Sequence, residues 1–111
     1  MDERGRRIGR NEAVFREVNE QIEGLNTRLA AVGERVLHVV CECGNLECVD
    51  QLTLPVAIYE EVRADPATFL VKPGHEIPDV ETVVRREREY FVVRKEAGGP
   101  ERLAAETDPR S

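Results

Sequence analysis

All three cysteines of the chain fall within eight residues, Cys41-Glu42-Cys43-Gly44-Asn45-Leu46-Glu47-Cys48. A secreted disulfide framework spreads an even number of cysteines along the sequence, so this odd, tight group points to a reducing compartment and to metal or redox chemistry. Thiolates crowded in one loop suit a structural zinc ion. Gly44 is read as the residue that permits a φ > 0 turn, aiming backbone N–H groups at the sulfurs. A clamp of this kind matters in a chain of 111 residues with no Trp and 41% hydrophobic residues, whose core is modest and mostly aliphatic.

A tetrahedral site needs a fourth donor, and the chain has two histidines. His75 lies in the turn Pro73-Gly74-His75-Glu76, where its ring can be presented to a neighbouring loop. His38 stands three positions before Cys41 in a strand-like run and so faces the opposite side. A carboxylate, Glu76 or Asp50, is also chemically able to fill the fourth position. The expected metal ligands are Cys41, Cys43, Cys48 and His75. The spacing, with one residue between the first two cysteines and four before the third, departs from the familiar C-x-x-C knuckle.

Four protein donors leave no position for water or substrate, which argues against catalysis. The deaminase pattern His-x-Glu with Pro-Cys-x-x-Cys is not met, nor is the zincin His-Glu-x-x-His. No P-loop, dinucleotide fingerprint or nucleophile elbow occurs, and no catalytic residue is assigned.

Upstream, Phe15, Val18, Ile22, Leu25, Leu29 and Val32 follow alternating spacings of three and four, the a/d seam of a coiled coil. The pattern predicts an amphipathic helix over 11–33, with Asn11 as its N-cap or a polar seam position and Gly33 as its stop. Residues 1–10, with four arginines and the helix-discouraging Gly5 and Gly9, read as a flexible basic arm. Residues 34–96 read as a zinc-binding α+β domain. Within it Val36–Cys41 forms a strand, Val56–Ala64 a helix after Pro55, Phe69–Val71 a strand, and Val80–Arg86 with Tyr90–Arg94 a C-terminal hairpin. Residues 97–111 read as a flexible tail. The fold class is thus α+β, an N-terminal helix followed by a small zinc-stapled domain.

Cys-Glu-Cys-Gly followed some thirty residues later by Pro-Gly-His-Glu, with the Asn11–Glu20 helix and the hairpin ending in Val92-Val93-Arg94-Lys95, resembles a group of small uncharacterised proteins of high-GC Gram-positive bacteria. The resemblance covers roughly Arg10 to Lys95. It implies that the three cysteines and His75 belong together, and it implies nothing about catalysis.

A formal charge of −6 argues against a general nucleic-acid coat. No signal peptide and no apolar run near the ~20 residues of a membrane span occurs, which sets the expectation of a cytoplasmic protein. The expected role is a non-enzymatic interaction or regulatory protein, contacting a protein partner or a second copy through helix 11–33. Two further roles fit the same residues: a thiol/zinc redox-responsive regulator, and a nucleic-acid-binding module that uses the Arg-rich arm.

Overall fold

The computed structural model describes residues 1–29 and 36–110, with side chains at 1–25 and 36–110. The elements are α1 (Glu3–Leu29), β1 (Val36–Val40), β2 (Gln51–Pro55), α2 (Val56–Arg63), β3 (Thr68–Val71), β4 (Glu81–Arg86), β5 (Phe91–Lys95) and α3 (Gly99–Glu106). β1 and β2 form an antiparallel hairpin, and the second sheet runs in the order β3-β5-β4, also antiparallel. The chain is therefore α+β, as its patterns predict. Among the described residues, no helix is long and apolar enough to cross a membrane.

The short strands follow from alternation. Leu37 and Val39 of β1 and Leu52 and Leu54 of β2 point inward, while His38 and Thr53 stand opposite each other on the outer face. With Tyr59 and Val62 of α2, Leu70 of β3 and Val92 of β5, they make the first core cluster. Phe69, Val71, Val93, Ala104, Cys41 and Cys43 make the second. β3 is buried on both faces and divides the two, with Leu70 on one side and Phe69 and Val71 on the other. In the β4–β5 pair the register shifts between Val83 and Arg85, leaving Val84 exposed.

Two expectations at the termini give way. Residues 1–10 are not an arm, because α1 begins at Glu3. Asp2 caps it, its Oδ1 accepting the Gly5 N–H at 2.7 Å. Gly9 lets α3 lie close, since a Cβ there would fall 2.6 Å from Leu103 Cδ2. Cap and packing offset the roughly 1 kcal/mol that each glycine costs a helix. Asn11 consequently lies inside α1, not at its N-cap. The tail expected over 97–111 is ordered as far as Arg110: it carries α3, and Arg110 then reaches back to Glu20, Glu23 and Glu60. Val32 and the stop at Gly33 lie outside the described residues.

The apolar residues of α1 divide their duties. Ile8 is buried and Phe15 and Ile22 are half-buried, whereas Val14, Val18 and Leu25 are 52%, 41% and 49% exposed. The face turned fully to the domain is polar: Glu12, Arg16 and Asn19 are at most 1% exposed. Each is engaged across the interface. Arg16 donates to the carbonyls of Pro66 (2.6 Å) and Ala104 (2.7 Å) and lies 4.4 Å over the Phe69 ring. Asn19 bonds both the N–H and the C=O of Val40, each at 2.8 Å, adding a side-chain rung to the edge of β1. Glu12 accepts from Lys95 Nζ at 2.6 Å.

Candidate metal centre

The cysteine loop is the tip of the β1–β2 hairpin. Val40 pairs with Gln51, and the Cys41 N–H donates to Asp50 O at 2.9 Å, so residues 41–50 close the end of a two-stranded ribbon. Two bonds bring the exit of β3 to this tip, from the Glu42 N–H to Leu70 O (2.7 Å) and from the Lys72 N–H to Cys41 Sγ (3.2 Å). The chain then turns through Pro73 and Gly74, where φ of +94° favours glycine, and the His75 N–H returns to Lys72 O at 2.9 Å. A hairpin tip and a tight turn thus face each other. That juxtaposition carries His75 to the cysteines.

One ligand atom from each of Cys41, Cys43, Cys48 and His75 lies within 4.8 Å of all the others. His75 Nδ1 is 3.5 Å from Cys41 Sγ and 3.6 Å from Cys48 Sγ. A tetrahedral ion with metal–sulfur bonds of about 2.3 Å and metal–nitrogen bonds of about 2.0 Å separates sulfur from nitrogen by about 3.5 Å. The two distances from His75 to sulfur fit such an ion. Cys41 and Cys43 are buried, while Cys48 and His75 form a half-exposed rim.

The three thiols of the loop perturb one another. A hydrogen bond from Cys41 lowers Cys43 to about 5, whereas Cys41 is pushed far up by the same bond and by burial, and Cys48 is raised chiefly by desolvation. Three thiolates at this separation repel one another, and a bound cation lets them ionise together.

The remaining candidate donors have different work. His38 Nδ1 meets Thr53 Oγ1 at 3.0 Å on the outer face of the ribbon, away from the cluster. Glu76 Oε1 accepts the Gly74 N–H at 2.8 Å and braces the turn. Asp50 approaches from outside, its Oδ2 lying 3.5 Å from His75 Nε2 and 3.8 Å from Cys48 Sγ.

The expected role of Gly44 is corrected. Among the described glycines only Gly74 and Gly98 have positive φ. Gly44 is required by close approach, because a Cβ would meet Ile8 Cγ2 at 2.7 Å and Ile77 Cδ1 at 3.3 Å. Its carbonyl accepts Asn11 Nδ2 at 2.8 Å, which ties the loop to α1.

Sequence reasoning missed Glu42. Lying between two cysteines that share a side of the loop, it points the other way into the protein, fully buried. There it accepts from Arg63 Nη2 (2.8 Å), Asn19 Nδ2 (2.8 Å) and the Leu70 N–H (2.9 Å). The signal for it was alternation: a carboxylate between two inward ligands has to face another environment. The loop is thus held on both faces, by thiolate donors on one and by a buried carboxylate on the other. No protein-family model, curated protein or solved structure matches the chain.

Proposed function

We propose that this protein is a non-catalytic, zinc-stapled interaction domain in which Cys41, Cys43, Cys48 and His75 hold one structural Zn²⁺. The observation that carries the reading is the donor set, with His75 Nδ1 at tetrahedral-edge distance from two sulfurs. Three soft sulfurs and an imidazole favour zinc over the hard cations, which take oxygen. Four protein donors fill a tetrahedral shell, which supports a structural rather than a catalytic ion. Free thiols belong in a reducing compartment, which supports the cytoplasm.

The contact surface in this reading is the outward face of α1, and its occupant is a second copy. Val14, Val18 and Leu25 form the apolar stripe, with Arg7 and Arg10 towards its N-terminal end and Glu17 beside it. In an antiparallel pair centred on this stripe, Val14 of one copy lies near Leu25 of the other, so that the exposed apolar side chains cover one another, and this supports self-pairing. Elemental analysis of protein purified without a histidine tag tests the metal, with one zinc per chain expected. Sedimentation across concentration tests the partner. A metal-free folded protein overturns the first part, and a monomer at every concentration overturns the second.

The half-exposed rim favours a second reading, in which peroxide reaches the site through Cys48. Two thiolates would then become one disulfide, their two electrons reducing the peroxide to water, and zinc would be released. Peroxide treatment that leaves zinc bound and the thiols free removes this reading.

A further inference from the structure

Resting on the metal reading above, we propose that Asp50 is a positioning residue for the metal site: its carboxylate holds the His75 ring so that Nδ1, not Nε2, faces the sulfurs. The two ring nitrogens are turned to different neighbours. Nδ1 looks into the cluster, 3.5 and 3.6 Å from two Sγ atoms, and Nε2 looks outward to Asp50 Oδ2 at 3.5 Å. A neutral imidazole that gives Nδ1 to a cation carries its proton on Nε2, and an acceptor on that side fixes the tautomer and the ring plane together.

Asp50 is itself held. Its carbonyl accepts the Cys41 N–H at 2.9 Å as the last rung of the hairpin, and Lys72 Nζ stands 3.8 Å from Oδ1. Lys72 also sends its backbone N–H to Cys41 Sγ. One residue of the β3 exit therefore steadies both a ligand and the carboxylate behind another ligand. The 3.8 Å contact from Cys48 Sγ to Asp50 Oδ2 is one that a sulfur–metal bond replaces, leaving the carboxylate to His75 and Lys72.

Because Asp50 is partly exposed and its rung is made by the backbone, substitution of the side chain leaves the hairpin intact. The test is zinc competition against a chromophoric chelator for the wild type, Asp50→Ala and Asp50→Asn, with ¹⁵N spectra of the His75 ring in each zinc-loaded protein. Asp50→Ala is expected to lose about 10- to 100-fold in affinity. Asp50→Asn, which keeps an acceptor, is expected to recover much of it. The wild-type spectrum should show a metal-bound Nδ1 and a slowly exchanging Nε2–H, and that proton should exchange faster in Asp50→Ala.

Unchanged affinity and unchanged proton exchange in Asp50→Ala overturn this inference and leave the metal reading standing. A His75 ring with no metal-shifted nitrogen, combined with loss of zinc in Asp50→Ala, overturns it by making Asp50 the ligand. A wild-type chain that binds no zinc overturns both.

Discussion

Arg63 Nη2 and Glu42 Oε1 form an ion pair at 2.8 Å in which neither side chain is more than 1% exposed. The pair joins the end of α2 to the residue between two cysteines, so the loop is also fastened to the core on the face away from its thiols. Truncating one member of a buried pair strands the other charge, which typically costs about 3–5 kcal/mol. Glu42→Ala should lose about that much stability and weaken metal binding, because the Leu70 N–H and Asn19 Nδ2 also lose their acceptor. Urea denaturation of the zinc-loaded protein measures it. A loss below about 1 kcal/mol would show that water replaces the carboxylate.

Metal removal should unfold the middle of the chain. Structural zinc in small domains is worth about 10 kcal/mol or more, comparable with the whole stability of a typical domain. Cys41→Ser and Cys43→Ser should therefore bind no zinc and lose the cooperative melt followed by circular dichroism. His75→Ala, at the half-exposed rim, keeps three sulfurs and should retain weaker binding with a lowered melting temperature.

The buried cluster of Glu12, Glu81 and Lys95 makes stability depend on pH. Lys95 Nζ lies 2.6 Å from Glu12 and 3.2 Å from Glu81, and Glu12 Oε2 has no hydrogen-bond partner among the described residues. Burial, then the neighbouring Glu81, raise Glu12 well above the ordinary glutamate range, with Lys95 opposing. A carboxyl raised in the folded state binds its proton more tightly there than in the unfolded chain, so its contribution falls as pH rises. The loss starts near the unfolded value of about 4.3 and is complete above the folded one. Glu12→Gln should flatten that slope in urea titrations at a series of pH values. A slope as steep as the wild type's would reassign the dependence to other carboxyls.

The two sides of α1 should respond in opposite ways. Leu25→Glu and Val18→Lys lie on the exposed stripe and should change monomer stability by no more than about 0.5 kcal/mol, while abolishing self-association in sedimentation. Asn19→Leu improves the apolar count of the helix, yet it should cost about 1–3 kcal/mol by leaving the Val40 backbone unpaired.

That contrast explains what the sequence displays and what it hides. The cysteines and His75 are legible because their chemistry is scarce and has few uses. Alternation in β1 and β2 and the apolar run of β3 are legible because period and burial coincide there. The docking of α1 is not legible, because hydrophobic periodicity reports apolar faces and this helix is fastened by Glu12, Arg16 and Asn19. The helical first turns and α3 are hidden for a related reason. Gly5 and Gly9 argue against helix locally, and only the Asp2 cap and the approach of Leu103 reverse the balance.

The polar underside of α1 has a consequence for how the helix can move. An aliphatic interface tolerates a slide of one turn, about 5.4 Å, because one methyl group replaces another. Here the same slide would carry the Arg16 guanidinium away from the Pro66 and Ala104 carbonyls and bring Asn19 opposite backbone it cannot match. The helix therefore has a single seating. The stripe it displays accordingly keeps one orientation towards the cysteine loop.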